Sequence, residues 1–344
     1  MNISLTGLLP DEITALLSGK QEKYRGIQIF RWIHEHNVES FDEMTNLSKP
    51  FREEIAQLYT IGALTLSEVC RSVDGSTEKF LWKLVDGLSI EGVILRDGDR
   101  VTACISSQVG CRMGCAFCRT GEMGFRRNLT SGEIVDQLIH MRRYLSSTDE
   151  DITNIVFMGM GEPLDNMKHL LKALGIINME TTLGISQRKI TVSTSGLVPE
   201  MKRLSDEFPR IGIAISLNAT DDELRARIMP VNNRYQLADI LDASLEYTRS
   251  SKRRITFEYI LMAGVNDSPA QALKLLAIVR KIPSKVNLIG YNEYEGAPYR
   301  RPSSEVIEAF QKILIDGGVT AIIRKSKGDD ILAACGQLAG KSEE

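Results

Sequence analysis

From residue 100 onward the chain alternates short β-branched runs with helical patterns, and this rhythm permits few architectures. The runs are "NIVFMGMGEP", "KITVSTSG", "IGIAISLNA", "ITFEYILMAG", "KVNLIGYNE" and "TAIIRKSKG". Between them, "SGEIVDQLIHMRRYL", "ADILDASLEYTRS" and "SPAQALKLLAIVRK" carry apolar residues at helical spacing. Such repetition predicts a parallel sheet covered by helices. About six units suit a partial (β/α)6 barrel better than a closed barrel of eight, with a doubly wound sheet as the other solution. Both architectures keep their sites at the carboxyl ends of the strands. Gly161-Glu162, Ser193 to Ser195, Ser216 to Asn218 and Asn292 fall there.

The first hundred residues read differently. "DEITALL", with Asp11 as N-cap, "YRGIQIFRWIHEH" and "FDEMTNLSKPFREEIAQLY" predict helices, the last tolerating Pro50 near its start. "EKFLWKLVDG", "LSIEGVILRDGDR" and "VTACISSQ" are extended runs divided by Asp-Gly turns, as antiparallel strands are. The expected organisation is therefore α/β: a helical domain over 1–60, a β-rich segment over 61–100, the barrel over 101–295 and a C-terminal extension over 296–344. The tail "KSEE" is expected to fray.

No run is long and apolar enough for a membrane span, and the N-terminus lacks the basic-then-apolar order of a signal peptide. A cytoplasmic protein without membrane association is expected. The net charge of −3 alone argues against nucleic acid. However, residues 1–100 hold 11 Lys+Arg against 16 Asp+Glu, while residues 101–344 hold 31 against 29. Basic clusters at Arg126-Arg127, Arg142-Arg143, Lys252-Arg253-Arg254, Arg300-Arg301 and Arg324-Lys325 could track phosphates if one face gathered them.

Three of the six cysteines lie within "CRMGCAFCRTG", as Cys111, Cys115 and Cys118. Structural zinc wants four protein ligands, and none of the four histidines stands near this loop. A disulfide framework suits a reducing compartment badly. Three thiolates fit an iron–sulfur cluster that keeps one iron without a protein ligand, open to substrate or cofactor.

The C-x3-C-x2-C spacing, with Phe117 before the last cysteine, resembles the radical S-adenosylmethionine superfamily. "CISSQVGC", "GFRRNLTSGEI", "MGMGEPLDN", "STSGLVP", "GVNDSPAQA", "NLIGYNEYEGAPYRRPS" and "GDDILAACGQL" extend the resemblance across nearly the whole chain to the RlmN/Cfr family of ribosomal RNA adenine methyltransferases. One departure is "SLNA", where the family commonly has a histidine after Ser-Leu; Asn218 keeps polar capacity there.

The resemblance implies one [4Fe-4S] cluster on Cys111, Cys115 and Cys118, and two molecules of S-adenosylmethionine per turnover. It implies cofactor contacts at Gly161, Glu162, Ser193, Ser216, Leu217, Asn218 and Asn292, with Ser195 the alternative to Ser193. Cys335 would receive a methyl group, a 5′-deoxyadenosyl radical would take a hydrogen from it, and the carbon would add to adenine. A radical is needed because an aromatic adenine carbon is not a nucleophile toward a sulfonium methyl. Glu91 would remove the ring proton, and Cys104 would attack the Cys335 sulfur, freeing product and leaving a disulfide. Cys70 has no such match and is read as structural. The implied partners are 23S rRNA, an anticodon-loop adenosine of tRNA, and a flavodoxin or ferredoxin as electron donor. The wording favours methylation at adenine C2; C8 methylation and a non-catalytic metal-stabilised RNA-binding module are the alternatives.

Overall fold

The computed structural model describes residues 3–17 and 24–340. The tail expected to fray lies outside the described residues. Seven strands run parallel, Arg100–Cys104, Asn154–Phe157, Ile190–Thr194, Gly212–Ser216, Ile255–Leu261, Ser284–Gly290 and Ala321–Arg324. Helices Ser131–Leu145, Met167–Asn178, Val198–Glu207, Leu237–Ser251, Pro269–Val279 and Ser304–Asp316 make the connections between them. The six runs read from the sequence as this series are thus present, and a seventh strand, Arg100–Cys104, precedes them: "VTACISSQ", expected in the antiparallel segment, pairs antiparallel on one side and parallel with Asn154–Phe157 on the other.

Spatial order follows chain order throughout these seven strands. A doubly wound sheet would reverse direction at a switch point, and none occurs here. The outermost parallel strands do not pair with each other, so the described residues form a partial barrel. The β-rich segment completes the sheet. Leu64–Arg71, Thr77–Leu84 and Ser89–Asp97 form an antiparallel meander whose last strand pairs with Arg100–Cys104, giving ten strands in all.

The N-terminal helices occupy Pro10–Leu16, Tyr24–His34 and Lys49–Leu58. The first begins two residues earlier than the sequence suggests. Pro10 takes the first helical position, where its missing N–H costs nothing, so Leu9 is the N-cap and Asp11 sits inside the first turn. Ile13, Ile29, Phe30, Phe51 and Ile55 from these helices are buried in a core continuous with that of the barrel.

Asp136, in the helix Ser131–Leu145, links these regions. Its buried carboxylate accepts from the backbone N–H groups of Ala63 (2.7 Å) and Leu64 (2.9 Å), where the N-terminal helices give way to the sheet. Asp136→Ala would leave both donors unpaired in the interior. We expect a loss of about 2–4 kcal/mol, read as a lower urea midpoint with an unchanged slope.

Candidate active site

The loop carrying Cys111, Cys115 and Cys118 is pinned at its base. Gln108–Gly110 pairs antiparallel with Phe125–Asn128, and Cys111 N donates to Gly124 O at 3.1 Å. Gly110 has φ +70°, and a Cβ there would lie 1.8 Å from Gly124 O, so only glycine closes the loop. The three thiols line one cleft at the carboxyl ends of the barrel strands, with about 920 Å³ of empty space, part of it open to solvent. Gly161, Glu162, Ser193, Ser195, Ser216 and Cys335 line the same cleft.

Glu162 is only 4% exposed and is firmly held. One carboxylate oxygen accepts from Ser195 N (2.7 Å) and Ser195 Oγ (2.8 Å), and the other from Leu164 N (3.1 Å). Burial raises its pKa above the ordinary carboxylate value, against these hydrogen bonds. Both Ser193 and Ser195 thus face the cleft, but Ser195 fixes the carboxylate. Gly161 has φ +98°, and a Cβ would lie 2.5 Å from Gln108 Cβ.

Other residues expected in the site occupy different positions. Leu217 is wholly buried in the core. Asn218 has both ends of its amide occupied: Oδ1 accepts from Ile260 N at 2.9 Å, and Nδ2 lies 3.4 Å from Met229 Sδ. Asn292 Nδ2 donates to Cys335 O at 3.0 Å, so it holds the cysteine's loop instead of facing the cleft. Cys104 ends the strand Arg100–Cys104 and lines a second cavity, deeper in the barrel, which Cys335 also lines. Cys70 lies near Glu68, with Sγ 3.2 Å from its Oε1, away from both cavities.

Cys335 is fixed by contacts on every side of its loop. Arg119 N donates to Gly336 O (2.8 Å), Thr120 Oγ1 to Leu338 O (2.5 Å), and Gln337 Nε2 to Glu293 O (2.7 Å). Ala339 N (2.9 Å) and Gly340 N (3.2 Å) donate to Glu91 Oε2, while Glu91 Oε1 pairs with Lys79 Nζ at 3.1 Å. Glu91 lines neither cavity, being covered by this segment. The accessible surface of Cys335 faces cavity space, with protein mass around it on all sides.

Arg225 was not singled out by the sequence. It is fully buried and donates to Leu217 O (3.2 Å), Asn232 Oδ1 (3.1 Å), Ser195 O (2.6 Å) and Ser216 O (3.2 Å). It thereby ties the ends of two neighbouring strands beneath the cleft. Burial lowers its pKa to about 10, leaving it charged at neutral pH. One arginine among several in "DELRARIMP" gives no sequence signal for this role.

The basic pairs are largely engaged within the fold. Arg127 binds Asp86 and Glu133, Arg142 binds Asp151, Arg300 binds Glu293, and Arg143 donates to the carbonyls of Asn37 and Val38.

The donor set suits an iron–sulfur cluster. Three thiols line one wall of a cleft that also holds a carboxylate and hydroxyls able to grip an amino acid. Burial raises the pKa of all three thiols, that of Cys111 to about 12, so cationic iron must displace their protons. A partial barrel with such a loop at the carboxyl ends of its strands defines a radical S-adenosylmethionine enzyme. Residues 105–276 match the radical SAM superfamily, and residues 3–61 match the ribosomal RNA large subunit methyltransferase N-terminal domain.

The chain is 49% identical to the dual-specificity RNA methyltransferase RlmN of Pelobacter propionicus, over 93% of this chain and 91% of that protein. It is 47% identical to that of Geobacter sulfurreducens, over 98% and 92%. A radical SAM methyltransferase from Sphaerobacter thermophilus superposes with a TM-score of 0.95 at 42% identity, covering 98% of this chain and 99% of that one. The chain belongs to the RlmN family of radical SAM RNA methyltransferases. Its cofactors are a [4Fe-4S] cluster and S-adenosylmethionine, two molecules of the latter per turnover. Among the described residues no helix is long and apolar enough to cross a membrane.

Gly161→Ala should force the Glu162 turn away from Gln108. We expect iron content to be retained, since none of the three thiols is touched, and S-adenosylmethionine affinity to fall about tenfold or more. Iron analysis and equilibrium dialysis on the same preparation check both.

Proposed function

We propose that this enzyme methylates C2 of an adenosine in 23S rRNA and of an anticodon-loop adenosine in tRNA, with Cys335 as carrier of the methyl group. The observation that carries the reading is the presence of Cys335 in the cleft of Cys111, Cys115, Cys118 and Glu162, from the far end of the chain. When bound, the cluster and S-adenosylmethionine supply the methyl group and, from a second S-adenosylmethionine, the radical that removes one of its hydrogens.

The residues then have distinct tasks. Cys111, Cys115 and Cys118 anchor the cluster as thiolates. Glu162, held by Ser195, accepts from the ammonium of the methionyl group; Gly161 leaves room for it, and Ser193 and Ser216 line its other side. Leu217, Asn218 and Arg225 shape the cleft from beneath. Asn292 sets the Cys335 loop. Once the Cys335 methylene carbon has bonded to C2 and the adduct radical has given up one electron, which the cluster would take back, Glu91 takes the C2 proton. For this the backbone N–H groups of Ala339 and Gly340 must release the carboxylate. Cys104 then attacks the Cys335 sulfur as a thiolate, the carbon–sulfur bond breaks toward the RNA, the departing carbon takes a proton to complete the methyl group, and a Cys104–Cys335 disulfide remains. All six cysteines are free thiols in the structure, the state in which such a cycle begins.

The target base must leave its stack to reach such a cleft. We assign RNA contact to residues 1–60, support of the sheet to 61–100, cofactor chemistry to 101–295 and methyl carriage to 296–344. The cytoplasm supplies the RNA, and a flavodoxin or ferredoxin supplies electrons.

Mass spectrometry of nucleosides from 23S rRNA and tRNA after incubation with the iron-loaded enzyme tests the reaction. 2-Methyladenosine is expected, and 8-methyladenosine would overturn the regiochemistry. Cys335→Ala should retain iron but form no product, with no methylated cysteine in its peptides. Cys104→Ala should accumulate protein bonded to RNA through Cys335, seen as a retarded band on a denaturing gel. A purely packing role for Cys104 predicts lower stability and normal product instead.

A further inference from the structure

The second cavity runs through the barrel from the amino-terminal ends of the parallel strands, at Arg100, Asn154 and Lys189, up to Cys104 and Arg324, and holds about 1960 Å³ of empty space, part of it open to solvent. Cys104 lines this cavity alone, whereas Cys335 lines it and the cofactor cleft as well. With cofactor in the cleft, the pair of sulfurs is reached through this lumen. Its lining is strongly basic, unlike the chain as a whole. Arg100, Lys189, Lys285 and Lys325 contribute to it, and none makes a side-chain hydrogen bond or ion pair among the described residues. Arg324 lies beside both thiols, 3.9 Å from Glu258, its nearest carboxylate oxygen. Asp97 and Glu258 also line the cavity, but six basic side chains outnumber them, Lys327 being the sixth; low-dielectric walls with a net excess of one sign concentrate small ions of the other sign.

We propose that this lumen admits a small anionic thiol, which reduces the Cys104–Cys335 disulfide and readies both sulfurs for the next turnover. The inference rests on the two-thiol reading above, which leaves that disulfide. Cys335 exposes more surface than Cys104, which is 6% exposed, so its sulfur is the one attacked. The incoming thiolate bonds to the Cys335 sulfur, the Cys104–Cys335 bond breaks, and Cys104 leaves as a thiolate stabilised by Arg324. A second thiol attacks the mixed disulfide. Two small thiols are oxidised to their disulfide, two electrons pass to the protein, and their protons complete the Cys104 and Cys335 thiols. A protein dithiol would have to thread its own active-site loop into the lumen to make the same contact.

The test uses the iron-loaded enzyme, oxidised by one round of turnover without added thiol, with the disulfide confirmed by peptide mass spectrometry. Reduction rates are measured with glutathione, which is anionic, and cysteamine, which is cationic. The wild type is compared with Lys189→Glu/Lys285→Glu, so that intrinsic thiol reactivity cancels. The glutathione rate should fall about tenfold or more in the variant, and the cysteamine rate should not fall. Single-turnover product formation by pre-reduced variant should match wild type, which shows the fold and the cofactor cleft intact. A glutathione rate unchanged by charge reversal overturns the proposal, as does reduction by thioredoxin that outpaces glutathione and ignores the reversal. Turnover that never produces the disulfide overturns the two-thiol reading, and this inference with it.

Discussion

The carboxylate of Glu91 pins the last described residues of the chain to the β-rich segment. Its Oε2 accepts from Ala339 N and Gly340 N, and its Oε1 is neutralised by Lys79. A buried carboxylate paired in this way is costly to strip of either partner. The contact therefore has two consequences. It keeps the loop of Cys335 seated between the cluster loop and Asn292, and it keeps Glu91 occupied while the loop is seated. In the mechanism proposed above, Cys335 and Glu91 are therefore mechanically coupled: freeing the carboxylate for a substrate proton loosens the segment that carries the sulfur.

The barrel gives that coupling a fixed frame. Parallel strands present all their carboxyl ends on one side, so Glu162, Ser195 and Ser216 converge although they belong to separate units. Arg225 then locks the frame by bonding to Ser195 O and Ser216 O together. A buried cation serving carbonyls at two strand ends positions without contacting cofactor. Its own charge is offset by oriented dipoles, and it lies close enough to Cys115 to favour a thiolate there.

Much of this was readable from sequence because periodicity reports burial. The six strand–helix units, the Asp-Gly turns and the cluster loop all leave local patterns. What failed to show was set by contacts between distant segments. Asn218 and Asn292 look alike in sequence, as polar residues at strand ends, yet one serves Ile260 N and the other Cys335 O. Choosing between Ser193 and Ser195 required knowing which one faces Glu162, since two residues apart on a strand they share a face. The basic pairs suggested a phosphate surface, and most turned out to be bound to acidic partners within the fold. Local sequence does not say whether a charge is free.

The two cavities meet at a partition made partly of Glu258, Arg324 and Cys335. Burial pushes the Cys104 thiol up to about 12, with the neighbouring Cys335 adding to the effect and Arg324 opposing it. An unassisted Cys104 would thus be a poor nucleophile at neutral pH, because only the thiolate attacks. Burial raises the Cys335 thiol as well, so both sulfurs are protonated at neutral pH and methylation of Cys335 would remove no charge. Arg324 opposes that rise at both thiols, which makes it the group placed to favour a Cys104 thiolate in the resolving step proposed above.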